Sequence, residues 1–105
     1  EVYVDRTIRE YIVNIITFTR KDERIFLGSS PRGSVALMKA GQAYAYMQGR
    51  DFVIPDDIKY LAPYVLSHRI LLKPEAKYGG LFAETLIFEA LASIAVPVQR
   101  LVKER

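Results

Sequence analysis

The chain has 105 residues, half of them hydrophobic and 26% charged, with 15 basic and 12 acidic side chains and a net charge of +3. That is the profile of one soluble globular domain, large enough for a core of its own and only mildly basic. With no cysteine and a single histidine, His68, it excludes disulfides, thiolate or multi-histidine metal sites and a cysteine nucleophile.

In chain order, Val2-Tyr3-Val4 reads as a short extended piece. A first helix is expected from about Asp5 to Arg20. Asp5 is one candidate cap and Thr7-x-x-Glu10 a rival capping box. Ile8, Ile12, Ile15 and Thr19 form one stripe, with Tyr11 and Phe18 beside it. Lys21 to Arg24 is a charged turn, and Ile25-Phe26-Leu27 a short apolar run ending at Gly28. The second helix has the clearest start: Ser30 as N-cap and Pro31 at the first position. It runs to about Gln48, where Gly49 stops it. Its apolar residues cover most of the circumference, which predicts a central helix. Phe52-Val53-Ile54 is extended.

Pro55-Asp56-Asp57 opens the third helix, with two carboxylates facing the positive end of its dipole. Ile58, Leu61, Ala62, Val65 and Leu66 make its buried stripe, and Pro63 predicts a kink or early break. Ile70-Leu71-Leu72 reads as apolar and extended, and Lys73 to Gly80 as a polar loop. A fourth helix covers about Ala83 to Ala95, with Leu86, Ile87, Ala90, Leu91 and Ile94 inward, and Pro97 ends it. The expected architecture is therefore mainly all-α: a small four-helix bundle over 1–97, with short extended segments near 2–4, 52–54 and 70–72 and a C-terminal tail over 98–105.

Among residues that could carry chemistry, Gly28-Ser29-Ser30-Pro31-Arg32-Gly33 has the glycine spacing of a phosphate-binding P-loop. The signature then needs Lys and Ser/Thr, and those places hold Ser34 and Val35. No acidic strand end resembles a Walker B. By itself this chain has no catalytic residues for ATP hydrolysis. The segment instead offers Arg32 at the second position of a helix, a geometry that can grip an anion. The same arginine could equally pair with a nearby carboxylate or lie in solvent.

Ordered motifs resemble the C-terminal lid domain of MoxR-family AAA+ ATPases over roughly residues 2–98. Gly28-Ser29-Ser30-Pro31-Arg32-Gly33-Ser34 is similar to that family's Gly-Ala-Ser-Pro-Arg-Ala-Ser. Tyr11-Ile12 with Thr19-Arg20 resembles the opening lid helix. Gly49 to Ile58 is similar to Gly-Arg-Asp-Tyr-Val-Thr-Pro-Asp-Asp-Val. Leu61-Ala62-Pro63 and Val65-Leu66-Ser67-His68-Arg69 resemble Leu-Ala-Pro and Val-Leu-x-His-Arg. Two departures stand out. Ile54 replaces a capping Thr and Phe82 a common capping Ser or Thr, each weakening a helix start by ~1 kcal/mol.

The resemblance implies a helical AAA+ lid over ATP and Mg²⁺ held by a core domain, with no ligand expected on the lid alone. It makes Arg32 the sensor 2 arginine, reporting the γ-phosphate, with Ser30, Pro31 and Gly33 shaping its helix start. Tyr11 and Ile12 would wall the adenine, or simply pack in the core. His68 and Arg69 would be structural or intersubunit; from the residues alone, a catalytic or ligand role competes with capping the third helix's negative end. Asp56 and Asp57 fit a dipole-facing first turn better than metal binding or acid–base work. The implied partners are the parent's own core, neighbouring subunits in a ring, and a client of a chaperone-like remodelling or maturation machine.

The alternative is a helical protein-interaction or weak DNA-binding module, and the absence of any run of five like charges speaks against nucleic acid. Seven tyrosines raise stacking on single strands, against which Tyr11, Tyr44 and Tyr60 are expected to pack. No apolar run reaches the length of a membrane span. Lack of cysteine fits the cytoplasm. A start at Glu1 without methionine fits a piece of a longer chain, whose uncovered apolar surface would favour pairing in isolation.

Overall fold

The computed structural model describes residues 1–98. Among them are α1 (Arg6–Lys21), β1 (Ile25–Leu27), α2 (Pro31–Met47), α3 (Pro55–Leu66), β2 (Leu71–Leu72), α4 (Pro74–Tyr78) and α5 (Ala83–Ser93). A 3-10 turn, Ser67–Arg69, joins α3 to β2. The mainly helical bundle is the expected one, with one helix more than the sequence predicts. From residue 99 on, the expected tail lies outside the described residues. No helix among the described residues is long and apolar enough to cross a membrane.

Asp5 starts α1. Its carboxylate accepts from the Thr7 amide at 3.1 Å and from the Thr7 hydroxyl, so the rival box beginning at Thr7 is not used. The hydroxyl bond holds the Asp5 carboxyl below its ordinary value. The helix buries Ile8, Tyr11, Ile12, Ile15, Ile16 and Thr19, the expected face. At its far end Asp22 closes the charged turn. Its carboxylate accepts from the Arg24 amide and side chain, and Arg24 reaches on to Glu89 of α5 at 2.8 Å.

The second helix differs from expectation. It buries only Gly33, Leu37, Gly41 and Ala45, while Val35, Tyr46 and Met47 are exposed. The apolar composition all round is real, but three of the four buried residues are small. They let neighbours come close: a Cβ on Gly41 would lie 2.9 Å from the Ile58 side chain of α3. The helix ends in a complete Schellman motif. The Gly49 amide donates to Tyr46 O at 3.0 Å and the Arg50 amide to Ala45 O at 2.9 Å. Gly49 takes the left-handed φ of 81° that this closure requires.

The start of α3 has no side-chain cap from Ile54. Asp57 compensates from the third position, accepting from the Ile54 amide at 2.9 Å. Arg50 grips the same carboxylate through both terminal nitrogens, at 2.8 and 2.7 Å, and also donates to Phe52 O. Asp57 is buried, so removing its arginine would leave a buried charge at a cost of ~3–5 kcal/mol. That grip fixes the connection between α2 and α3 and raises the Arg50 guanidinium above its ordinary value.

Pro63 does not break α3, which runs on to Leu66. An interior proline costs ~3 kcal/mol, but Ala62, Pro63 and Leu66 are all buried here, and their packing holds the last turn. The expected polar loop from Lys73 to Gly80 contains the short α4 instead. Pro74 at its first position and Glu75 in its first turn are the same start signals that open α3. The helix buries no residue, so hydrophobic periodicity is silent there. The last helix, α5, ends at Ser93, two residues short of the expected Ala95, with Ile94 extended beyond it.

The extended pieces pair in two places. Tyr3 bridges Phe52 in parallel, through Tyr3 N to Asp51 O at 2.8 Å and Val53 N to Tyr3 O at 2.9 Å. β1 pairs antiparallel with β2, Ile25 opposite Leu72 and Leu27 opposite Leu71, with an irregularity between them. The core lies where α1, α2, α3 and α5 meet; Ile8, Ile15, Leu37, Ile58, Leu66 and Ile87 are fully buried in it.

Candidate functional site

The segment Gly28–Arg32 joins β1 to α2 and is tied down at almost every residue. Gly28 lies flat against the last turn of α1: a Cβ there would sit 2.5 Å from the Thr19 carbonyl oxygen. The Ser29 amide donates to Thr19 Oγ1 at 3.1 Å. Thr19 Oγ1 in turn donates to Ile16 O at 2.7 Å. Both Thr19 and Ser29 are buried. Ser30 caps α2, accepting from the Arg32 amide at 3.2 Å, and Pro31 follows at the first position with its φ locked.

The arginine at the end of this path is exposed. Among the described residues its guanidinium has no ion-pair partner, so the alternative of pairing with a neighbouring carboxylate is not realised. The expected free amides are less free than the spacing implies. The Arg32 amide is taken by Ser30 Oγ and the Gly33 amide by Ser30 O at 2.9 Å. What this helix end offers an anion is therefore a guanidinium fork backed by the dipole of 17 residues, rather than a nest of bare N–H groups.

Beside it runs a shallow apolar groove of about 140 Å³ between α1 and α2, lined by Arg9, Ile12, Val13, Ser34, Val35 and Met38. Ile12 lines that groove although it is itself only 2% exposed. Tyr11, 1% exposed and within the core, does not line it. Among the described residues its buried hydroxyl has no hydrogen-bond partner. Burial pushes that phenol above its ordinary value, and the charge of Asp56 pushes the same way.

The other candidate residues lie elsewhere. His68 and Arg69 sit exposed in the 3-10 turn at the end of α3. His68 borders a groove of about 410 Å³ with Tyr60, Tyr64 and Phe88. Asp56 is exposed in the first turn of α3, while Asp57 is the buried partner of Arg50. No group of three or more His, Asp or Glu that could hold a metal occurs among the described residues. The tyrosines are more exposed than expected. Tyr44, Tyr60 and Tyr64 form a tilted aromatic row with centroids 5.3 and 5.7 Å apart. Tyr60 and Tyr64 lie largely in solvent, so packing accounts for Tyr11 fully, Tyr44 partly and Tyr60 least.

By spacing Thr19 reads only as a core position, and nothing in the sequence pattern sets Ser29 apart except the Ser29-Ser30 doublet: a helix has one N-cap, so the first serine needs another use.

The sequence matches the AAA lid domain family over residues 17–98. It is 56% identical over 99 residues to the uncharacterized protein YeaC of Bacillus subtilis, covering 94% of this chain and 31% of that protein. It is 32% identical over 104 residues to the chaperone MoxR1 of Mycobacterium tuberculosis, covering 90% of this chain and 28% of the relative. The fold superposes with a TM-score of 0.87 on the crystal structure of a provisionally named ATPase from Cytophaga hutchinsonii, at 28% identity over 92% of this chain and 32% of that one. The chain thus spans about a third of the length of each of these relatives.

Proposed function

The chain belongs to the AAA lid domain family, in its MoxR-like branch, and from that premise we propose that it closes over ATP held by the core of a longer AAA+ ATPase and senses the γ-phosphate through Arg32. The observation that carries this reading is the state of Arg32: exposed, without an ion-pair partner among the described residues, and fixed at the start of a long helix by a buried backbone anchor. A guanidinium so placed forms charge-assisted, two-pronged bonds with a phosphate and forms them only when the phosphate is there. The closed lid is then favoured in the ATP state and released once the γ-phosphate leaves.

The division of labour follows from what the lid lacks. Its Gly28–Val35 stretch lacks the P-loop lysine and its described residues hold no carboxylate cluster for Mg²⁺, so on this reading the core supplies both and the lid contributes one cation. The groove at Ile12 and Val35 supports an apolar contact near the base end of the nucleotide; both Tyr11 and Ile12 are buried, and Ile12 is the better of the two only because it lines that groove. The remaining exposed apolar surface, including Tyr46, Met47 and Phe88, is suited to the parent's own core and to a neighbouring subunit in a ring. The chaperone name of the mycobacterial relative supports a remodelling or maturation role for the parent, acting on a client protein.

The test is Arg32→Ala in the full-length parent. ATP turnover should fall by roughly 10²-fold, the scale for removing one preorganised donor from a developing charge, while the subunits still assemble. Turnover at the unmutated rate would overturn the reading.

A further inference from the structure

We propose that Thr19 is a positioning residue for Arg32: its buried hydroxyl sets the backbone register from which the arginine projects. The inference rests on the reading of Arg32 as a phosphate sensor and adds a residue at the far side of the loop, thirteen positions earlier in the chain.

The hydroxyl has one proton and two lone pairs. The proton goes to Ile16 O at 2.7 Å within α1. This orients the oxygen as an acceptor, and the Ser29 amide donates to it at 3.1 Å. A threonine bonded back to its own helix is commonplace, and that habit explains the first bond only. The second joins two elements ten residues apart in sequence. Thr19 and Ser29 are 0% and 1% exposed, so water cannot replace the bond, and an orphaned amide there would be costly. Gly28 adds a steric constraint, because any Cβ there would lie 2.5 Å from the Thr19 carbonyl oxygen.

From Ser29 onward little freedom remains. Ser30 is held by its cap bond to the Arg32 amide, and Pro31 has its φ locked by its ring. The backbone of Arg32 is thus fixed by an anchor on α1, and only its own side chain is left to move. A sensor must meet a phosphate carried by another domain, where a misplacement of about 1 Å can cost as much as 10²-fold in rate. The threonine controls that placement without touching nucleotide.

The experiment compares ATP turnover and KM of the full-length parent with Thr19→Val, Thr19→Ser, Arg32→Ala and the Thr19→Val/Arg32→Ala pair, all checked for assembly. Valine keeps the shape and removes the acceptor; serine keeps the acceptor. The expected result is a drop of about tenfold or more in kcat for Thr19→Val, near-normal turnover for Thr19→Ser, and a double variant no slower than Arg32→Ala alone. Should Thr19→Val fail to fold, Thr19→Cys takes its place, with similar size and a poorer acceptor. If Arg32→Ala is slow but Thr19→Val is not, or if the two losses multiply in the double variant, the positioning role is wrong and the sensor reading survives. If Arg32→Ala is itself unimpaired, both fall.

Discussion

Ser29 and Gly33 compete for one space, and a double-mutant cycle on them measures how tightly the Arg32 loop is packed. A Cβ added to Gly33 would lie 2.0 Å from Ser29 Oγ and 3.3 Å from the Leu66 side chain. The hydroxyl would have to swing out of its bond to Ser30 O at 3.1 Å, inside a site with almost no solvent. A buried hydroxyl left unpaired costs ~1–3 kcal/mol. Alanine in a helix gains only ~0.5–1 kcal/mol over glycine. Gly33→Ala alone should therefore destabilise by roughly 0.5–2 kcal/mol.

The partner change is cheaper. Ser30 O keeps a second donor, the Gly33 amide at 2.9 Å, so Ser29→Ala should cost ~1 kcal/mol or less. With the hydroxyl gone, the new methyl at 33 has room. The double variant should return close to the starting stability, giving a favourable coupling of ~1–3 kcal/mol. Urea unfolding of the four proteins, with unchanged slopes, reads this directly; each kcal/mol also moves the melting temperature by ~4–8 °C at this size. Additivity within about 0.5 kcal/mol would refute the packing argument. The MoxR-family run Gly-Ala-Ser-Pro-Arg-Ala-Ser, with alanine at both places, is the pairing that the geometry says can coexist.

Tyr11→Phe removes a buried hydroxyl of α1 that has no partner among the described residues and should hold or raise stability, by ~1 kcal/mol; a loss of that size in urea unfolding would mean the hydroxyl has a bonding role. Asp22, held below its ordinary 3.8 chiefly by its hydrogen bonds to the Arg24 side chain, contributes stability that is present above that value and is lost as pH falls through the lowered folded one. Asp22→Asn should therefore be less stable than the parent sequence at neutral pH, with the gap closing as denaturation midpoints are followed below 3.8; a gap unchanged in strong acid would contradict the assignment.

The parts of the fold that follow from local signals are legible in the sequence. Ser30-Pro31 and Pro55-Asp56 mark helix starts because a cap and a fixed φ act within one turn. The stripe of α1 is legible because its period is regular and its buried face is wide. The small α4 escapes although its Pro74-Glu75 start is as local as that of α3, because it buries nothing and no periodicity supports it. The rest of what escapes is non-local. The narrow stripe of α2 is hidden by apolar residues on its outer face, which composition cannot separate from inner ones. Nothing local says that Arg50 reaches Asp57, or that Thr19 receives the Ser29 amide; both bonds exist only once the elements are packed. The candidate site follows the same division. Arg32 is legible from its motif, while the groove at Ile12 and the burial of Tyr11 depend on how α1 rolls against its neighbours.

Exposure without a partner does not by itself distinguish Arg32, since Arg9 and Arg20 on α1 are exposed too. The difference lies beneath the side chain. Those two stand on the surface of a helix with turns on either side. Arg32 stands at a helix start whose approach is held by a buried threonine, a glycine contact and a proline, and whose first amides are already taken by Ser30. A loop whose amides served as the anion site would leave those groups open. Here they are closed, so on the proposed reading recognition would fall to the guanidinium, a planar fork that needs its base held still to choose a direction. Arg24 and Arg50 show the other use of the same side chain: both are spent on carboxylates of this chain, tying turns to helices. The fold thus fixes the backbone of Arg32 and, among the described residues, leaves its charge unmet, which is the arrangement required if the matching anion arrives on another domain.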